Sequence, residues 1–229
     1  MNHPPAAARR GFLYRNLAND TSILGVLPIL LLYLDNGYDY LLPLIIFNNI
    51  MDDLDGILAV KLDIRSPFGA ALDNVCDGVA HVALALAVGA HFGGVLLALS
   101  VLAASSIILR ATSRVTPGHA AGGGSPTNEL MRHLLFTVIL TQTLNLAPEP
   151  ALISVFLLHA VSMLVPYRMS ALIRARAKTA TAVGLVNAAL VVAWLVPVAA
   201  LLAAAAFWTT YLYAFIVGGI QWLGGQKAS

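Results

Sequence analysis

The sequence predicts an all-α protein, a polytopic transmembrane helical bundle of about eight spans with a short N-terminal interfacial helix. Three observations carry that expectation. Hydrophobic residues make up 59% of the 229 residues and charged ones 10%, with mean hydropathy +0.82, which leaves too little polar surface to cover a water-soluble globule. Apolar runs near the length a bilayer demands recur along the whole chain. All thirteen Lys and Arg fall at alternate connections between those runs.

The first sixteen residues carry Arg9, Arg10 and Arg15 without the long apolar core and cleavage-like site of a secretory signal, so a short interfacial helix is expected there. Spans follow at about 20–35, 41–62, 67–90, 93–112, 128–146, 149–170, 179–201 and 203–224. Turn chemistry marks the breaks: Asp35-Asn36-Gly37, Arg65-Ser66-Pro67, His91-Phe92-Gly93-Gly94, Gly122-Gly123-Gly124-Ser125-Pro126 and Pro148-Glu149-Pro150. The longest connection is about 113–127. A single membrane domain over 1–229 is the expectation, with no room for a sizeable soluble unit.

Eight spans make the connections alternate between two sides. Arg9, Arg10 and Arg15, then Lys61 and Arg65, then Arg110, Arg114 and Arg132, then Arg168, Arg174, Arg176 and Lys178, and last Lys227 all fall on the side of the N terminus. Asp35, Asp39 and Glu149 fall on the other, which places both termini in the cytoplasm. The net charge of +2 is too small to suggest a nucleic-acid partner. The one cysteine, Cys76, excludes an intrachain disulfide and a CxxC metal or redox site. Trp194, Trp208 and Trp222, with Tyr211 and Tyr213, fit interfacial anchors, while His91, His119 and His159 form no pattern.

Spans two and three hold Asp52, Asp53, Asp55, Asp73 and Asp77, and a carboxylate at mid-membrane depth costs about 2.5–3.5 kcal/mol on insertion scales. Asp55 and Asp73 lie about seven and six residues from the cytoplasmic ends of their spans, roughly 10 Å deep at the helical rise. Asp52 and Asp55 are three apart and Asp73 and Asp77 four apart, which puts each pair on one helix face. These four are expected to converge, whereas Asp53 is turned toward another helix or water. Hard oxygen ligands on rigid helices suit Mg²⁺, Mn²⁺ or Ca²⁺ in a paired-metal site completed by substrate phosphates. A proton relay, a sodium site in a transporter, and interhelical polar contacts fit the same spacing.

The string Asp52-x-x-Asp55-Gly56-x-x-Ala59, followed by Gly69-x-x-x-Asp73-x-x-x-Asp77, resembles the signature of the CDP-alcohol phosphatidyltransferases. One position departs from it: Val60 stands where the family has arginine, and the adjacent Lys61 is turned about 100° on the helix. The Asp-x-Leu-Asp-Gly form at 52–56, Leu109-Arg110-Ala111, the Gly-Ser-Pro-Thr loop at 124–127 and the basic stretch after span six are similar to the phosphatidylserine synthase branch. Leu72-Asp73-Asn74-Val75 is similar to the phosphatidylcholine synthases, the second branch it resembles. The resemblance implies a catalytic core over about 16–170, with 171–229 adding two C-terminal spans.

What it implies chemically is metal-dependent transfer of a phosphatidyl group from CDP-diacylglycerol to a small alcohol, serine first, with release of CMP. Choline, inositol or glycerol phosphate are the alternative acceptors, and a cation transporter or an inactive scaffold the alternatives of another class. On that resemblance Asp52, Asp55 and Asp73 hold Mg²⁺ or Mn²⁺, and Asp77 is the general base with a metal contact of its own. Gly56, Ala59 and Gly69 admit the nucleotide, although small residues at such spacing also serve helix packing. Lys61, Arg110, Arg114 and Arg132 are placed for phosphate or acceptor contacts, although the positive-inside rule explains each singly. His81, one turn after Asp77, is within reach of it, and lone buried histidines are more often structural. Membrane lipid and a homodimer are the implied partners, and the cytoplasmic membrane, with the site facing the cytoplasm, the implied location.

Overall fold

The computed structural model describes residues 11–115, 126–167, 169 and 180–226. Among them are eight α-helices and no strand. Arg9, Arg10, Arg168, Arg174, Arg176, Lys178 and Lys227 lie outside the described residues, as do most of the expected interfacial helix and the loop at 116–125.

Helix α1 runs Phe12–Val26 and tightens into a 3₁₀ segment, Leu27–Tyr33, because Pro28 has no N–H to continue the α-ladder. Residues 12–16, expected ahead of the first span, form its opening turn, so one helical run of 22 residues reaches from Phe12 to Tyr33. A 3₁₀ turn at Gly37–Tyr40 then leads into α2, Leu41–Lys61. A Cβ on Gly37 would lie 2.2 Å from the Leu32 carbonyl oxygen, so this turn closes only with glycine.

The link from α2 to α3 (Pro67–Phe92) is short and fully hydrogen-bonded. Asp63 takes φ 53°, Ile64 N donates to the Ala59 carbonyl at 3.1 Å and Asp63 N to that of Val60 at 3.3 Å, a Schellman ending with aspartate in the left-handed position. Ser66 then caps α3, accepting from Gly69 N at 2.9 Å, with Pro67 in the first turn. Gly93 and Gly94, at φ 69° and 52°, turn the chain into α4, Gly94–Val115.

Helix α5 (Pro126–Thr143) ends in a second Schellman turn at Asn145, and α6 (Glu149–Leu164) stops at Val165, which Pro166 forces into extended backbone. Span six therefore ends six residues before the expected 170. The last two helices, α7 (Ala180–Leu195) and α8 (Ala200–Gln226), divide at Val196-Pro197 and not at 201–203, again where a proline removes a donor.

Among the described residues, four helical runs are long and apolar enough to cross a membrane by themselves: Phe12–Tyr33, Pro67–Phe92, Gly94–Val115 and Pro197–Gly225. Helices α6 and α7 are apolar but shorter, α2 carries three aspartates, and α5 is polar at its entry. The protein is an integral membrane helical bundle. Its axis is α5, buried along most of its length and packed by α2, α3, α6, α7 and α8. Outside it α3 packs on α4, α1 on α2 and α4 on α6, and α7 lies against α2. The outer faces of α1, α4, α7 and α8 expose leucine, isoleucine and valine, as a lipid-facing surface does.

Two aromatic expectations are corrected by this packing. Trp208 and Tyr211 pack within the bundle and do not point outward as anchors: Trp208 stacks on His133, ring centroids 4.0 Å apart, and Tyr211, 5% exposed, packs on His159. Both face inward because α8 buries that face against α5.

The α3–α4 contact is tight enough to test. A Cβ on Gly89 would lie 2.5 Å from Ser100 Cβ and 3.0 Å from the Leu96 carbonyl oxygen, neither of them a flexible end. Gly89→Ala is expected to destabilise the protein by about 1–3 kcal/mol. Thermal unfolding in detergent checks this, and adding Ser100→Gly should recover part of the loss.

Candidate functional site

Because α2 and α3 reverse about a short link, Asp55 six residues before the end of α2 and Asp73 six after the start of α3 come to one level. Asp52, one turn behind Asp55, joins them. One carboxylate oxygen from each of the three lies within 4.8 Å of the others, close enough to hold a metal ion between them. Hard, anionic oxygen donors fit a divalent cation such as Mg²⁺ or Mn²⁺. Asp77 is not in this group. It sits one turn, about 6 Å, further along α3 and lines a small pocket with Asn74, Arg110 and Arg114.

Each α2 carboxylate is oriented by a neutral donor from another helix. Ser22 Oγ on α1 donates to Asp55, which is 5% exposed. Asn128 Nδ2 on α5 donates to Asp52 at 2.6 Å. Asp53, expected to face another helix, faces α7: Asn187 Nδ2 donates to it at 2.9 Å, and Asn49 Nδ2 at 3.3 Å. Asn49 also donates to Asn187 Oδ1 at 2.6 Å. These contacts take three polar groups out of the bundle's apolar surroundings and at the same time fix the carboxylate rotamers.

Among the described residues, three cavities meet at Asp73. The first, ≈310 Å³, lies between α1, α2 and α3 and is lined by Gly56, Ala59 and Gly69 together with Asn19, Ser22 and Arg65. The second, ≈390 Å³, lies between α2 and α7 and is lined by Lys61, Ile57, Val60, Ala180 and Val183 beside the aspartates. The third, ≈460 Å³, lies toward α4, with Asn74 and Arg114. Val60 borders both the first and the second, whereas Lys61 lines only the second. Among the described residues lining the first, Arg65 carries the only positive charge.

The three small residues differ in environment. A Cβ on Gly56 meets nothing within 4 Å, so no neighbouring helix requires a glycine there and the space lies open. A Cβ on Gly69 would sit 2.9 Å from Asn19 Oδ1 and 3.1 Å from Ser66 Oγ, so this glycine also serves the close approach of α1 to α3.

The arginines separate as well. Arg110, 6% exposed, donates through Nη1 to the Met163 carbonyl at 3.2 Å and lines the Asp77 pocket. Arg114 is exposed and lines two pockets. Arg132, 2% exposed, is paired with Glu129 at 2.7 Å, donates Nε to Asn49 Oδ1 at 3.1 Å and lies 5.4 Å over the Phe207 ring. It braces the α2 network from within the bundle. His81 is buried on α3.

Sequence reasoning passed over Ser22, Asn49, Arg65 and Asn187. Arg65 was visible only as a positive-inside charge, while Asn49 and Asn187 are single amides in apolar runs, a signal that names a polar contact without naming its partner.

A model of the CDP-alcohol phosphatidyltransferase family matches residues 16–165. No curated protein and no solved structure matches the chain. The match covers α1 to α6 and leaves α7 and α8 outside it.

The placement of Arg132 has a direct consequence. Arg132→Met removes a buried cation together with its bonds to Glu129, which is 20% exposed, and to Asn49, and is expected to destabilise the protein by about 1–3 kcal/mol. Adding Glu129→Gln, which removes the partly buried charge left without Arg132, should restore part of that in a thermal melt.

Proposed function

The chain belongs to the CDP-alcohol phosphatidyltransferase family, and on that premise we propose that it transfers a phosphatidyl group from CDP-diacylglycerol to a small alcohol, serine first, with release of CMP. Members of the family are phosphotransferases of phospholipid synthesis, and this chain is one of them. The observation that carries the finer assignment is the meeting of Asp52, Asp55 and Asp73 within 4.8 Å, beside an open helix face at Gly56.

Asp52, Asp55 and Asp73 would hold Mg²⁺ or Mn²⁺. Bound there, the cation supplies charge neutralisation for the diphosphate and for the departing CMP. Ser22, Asn128 and, behind them, Arg132 keep the carboxylates oriented so that no reorganisation is needed on binding. The nucleotide occupies the first cavity, where Gly56 and Ala59 let a flat base approach the helix and Arg65 faces its phosphate. Arg65 thereby takes up the charge that Val60 does not supply.

The acceptor enters near Asp77, Arg110 and Arg114. Asp77 takes the hydroxyl proton as the acceptor oxygen bonds to the lipid-bearing phosphorus and the bond from that phosphorus to the CMP oxygen breaks. The arginines suit an acceptor bearing a carboxylate, which favours serine over choline. Inositol and glycerol phosphate stand behind them. The charge asymmetry of the connections supports a site and both termini at the cytoplasmic face of the inner membrane.

Purified protein given CDP-diacylglycerol, serine and Mg²⁺ or Mn²⁺ is expected to release CMP only when metal and acceptor are both present. Asp77→Asn should lower kcat by about 10²–10⁴-fold while the metal concentration for half-saturation stays put. Gly56→Ala should lose activity without losing thermal stability, since the added methyl meets only ligand space. Folded protein that releases no CMP with any acceptor or metal, and instead moves a cation across vesicles, would overturn the assignment in favour of a transporter.

A further inference from the structure

Four aspartates, Asp52, Asp53, Asp55 and Asp73, border the ≈390 Å³ space between α2 and α7. Among the described residues, Asp52, Asp55 and Asp73 bring oxygens within 4.8 Å of one another, and Asp53 is not in that group. It stands about 100° from Asp52 on the helix, at the side of the same space, and its bonds turn it away. Asn187 Nδ2 donates to Asp53 Oδ2 at 2.9 Å, and Asn49 Nδ2 donates to the same oxygen at 3.3 Å. Asn187 Oδ1 accepts from Asn49 Nδ2 at 2.6 Å, and Asn49 Oδ1 accepts from Arg132 Nε at 3.1 Å. Each amide is thus engaged at both its oxygen and its nitrogen, which fixes the nitrogen toward the carboxylate.

We propose that Asn187 is a positioning residue that withholds Asp53 from the metal-binding face, and that it thereby sets which divalent cation the other three aspartates prefer. This rests on the metal-binding reading of Asp52, Asp55 and Asp73, and it draws α7, a helix beyond the 16–165 match, into the working of the site. Mg²⁺ takes one or two carboxylates, keeps waters and completes its shell with substrate phosphates, whereas Ca²⁺ accommodates about 6–8 oxygens in flexible geometry. A further carboxylate turned into the shared space would tighten the hold on either ion, and on Ca²⁺ more than on Mg²⁺. It would also repel the diphosphate that the ion has to receive. Asn187 is the one amide of α7, whose sequence is otherwise apolar apart from Thr181. An amide holds a carboxylate without bringing a positive charge to the face that attracts the metal.

Binding of Mg²⁺ and of Ca²⁺ to the purified full chain in detergent, without substrate, tests this by calorimetry and by the rise in melting temperature with each ion. Asn187→Leu and, independently, Asn187→Ala are expected to tighten Ca²⁺ binding about 10-fold and Mg²⁺ binding less. Adding Asp53→Asn to either should return both affinities to their starting values, since the group released is then neutral. Loosening of α7 alone would not be reversed in this way. Asp53→Asn by itself, with Asn187 in place, should change neither affinity by more than about twofold. Unaltered binding of both ions in the Asn187 variants overturns the proposal, as does a change that Asp53→Asn leaves in place. So does a large loss of Mg²⁺ binding in Asp53→Asn alone, which would make Asp53 a ligand already, and so does an unsubstituted protein that binds neither ion. The readout needs no turnover: protein that binds the ions as expected and releases no CMP counts against the transferase assignment and not against the role of Asn187.

Discussion

Three carboxylates whose oxygens lie within 4.8 Å of one another, in a bundle made largely of apolar side chains, are the constraint around which the other helices are arranged. Like charges so close, and removed from water, disfavour one another strongly unless donors or a cation stand among them. Among the described residues, a hydroxyl and amides donate to the α2 aspartates: Ser22 to Asp55, Asn128 to Asp52, Asn49 and Asn187 to Asp53. Such groups orient a carboxylate without cancelling its charge, which keeps the cluster attractive to a divalent ion. Since they stand on α1, α5 and α7, those helices must pack around α2 for the donors to reach. The site thus determines the bundle as much as the bundle holds the site.

Helix α5 shows how one element serves both ends of that arrangement. Its first turns are polar, with Asn128 and Arg132 bonded to α2 and Glu129 paired with Arg132, and its later turns are apolar, with Leu134, Leu135, Phe136 and Ile139 in the core. Between the two lies a buried polar knot. His133 Nδ1 meets His159 Nε2 at 2.7 Å, Tyr211 OH meets His159 Nδ1 at 3.1 Å, and Ser162 bonds the same tyrosine. That knot joins α5, α6 and α8, so the C-terminal helix is bound into the core by side-chain hydrogen bonds and not by apolar contact alone. With α7 held through Asn187, the helix pair lying outside the 16–165 match is made part of the same folded unit.

Much of the fold was legible because helix length in a bilayer and turn chemistry are local properties. Asp35-Asn36-Gly37, Arg65-Ser66-Pro67 and Gly93-Gly94 mark links that the structure contains, and the aspartate spacing placed Asp52, Asp55 and Asp73 on facing sides of two neighbouring helices. Boundaries went wrong where a proline acts from one residue away, at Val165 and at Val196. What stayed illegible depends on which helix lies against which. Asn187 is an isolated amide 138 residues from Asn49, and nothing local ties them. Trp208 has the composition of an interfacial anchor, and only the docking of α8 onto α5 turns it inward to His133. Arg132 has the sequence character of a cytoplasmic cation, whereas burial with Glu129 makes it a brace.

The short link between α2 and α3 explains why the chemistry sits on helices and not on loops. Asp55 and Asp73 are each six residues from that link, so their common level follows from counting turns of a rigid helix outward from one fixed point. The point is fixed twice, by the Schellman bonds from Asp63 and Ile64 and by the Ser66 cap. A residue gained or lost on either side would rotate one aspartate by about 100° and carry it from the shared face toward lipid. Aspartate at the left-handed position 63, where glycine would be less strained, keeps the reversal polar at the end of two apolar helices. The carboxylates, the turn that levels them and the charged group that follows at Arg65 form one continuous piece of chain. The helices beyond it supply what that piece lacks, which is orientation from α1, α5 and α7 and an enclosing wall on each side.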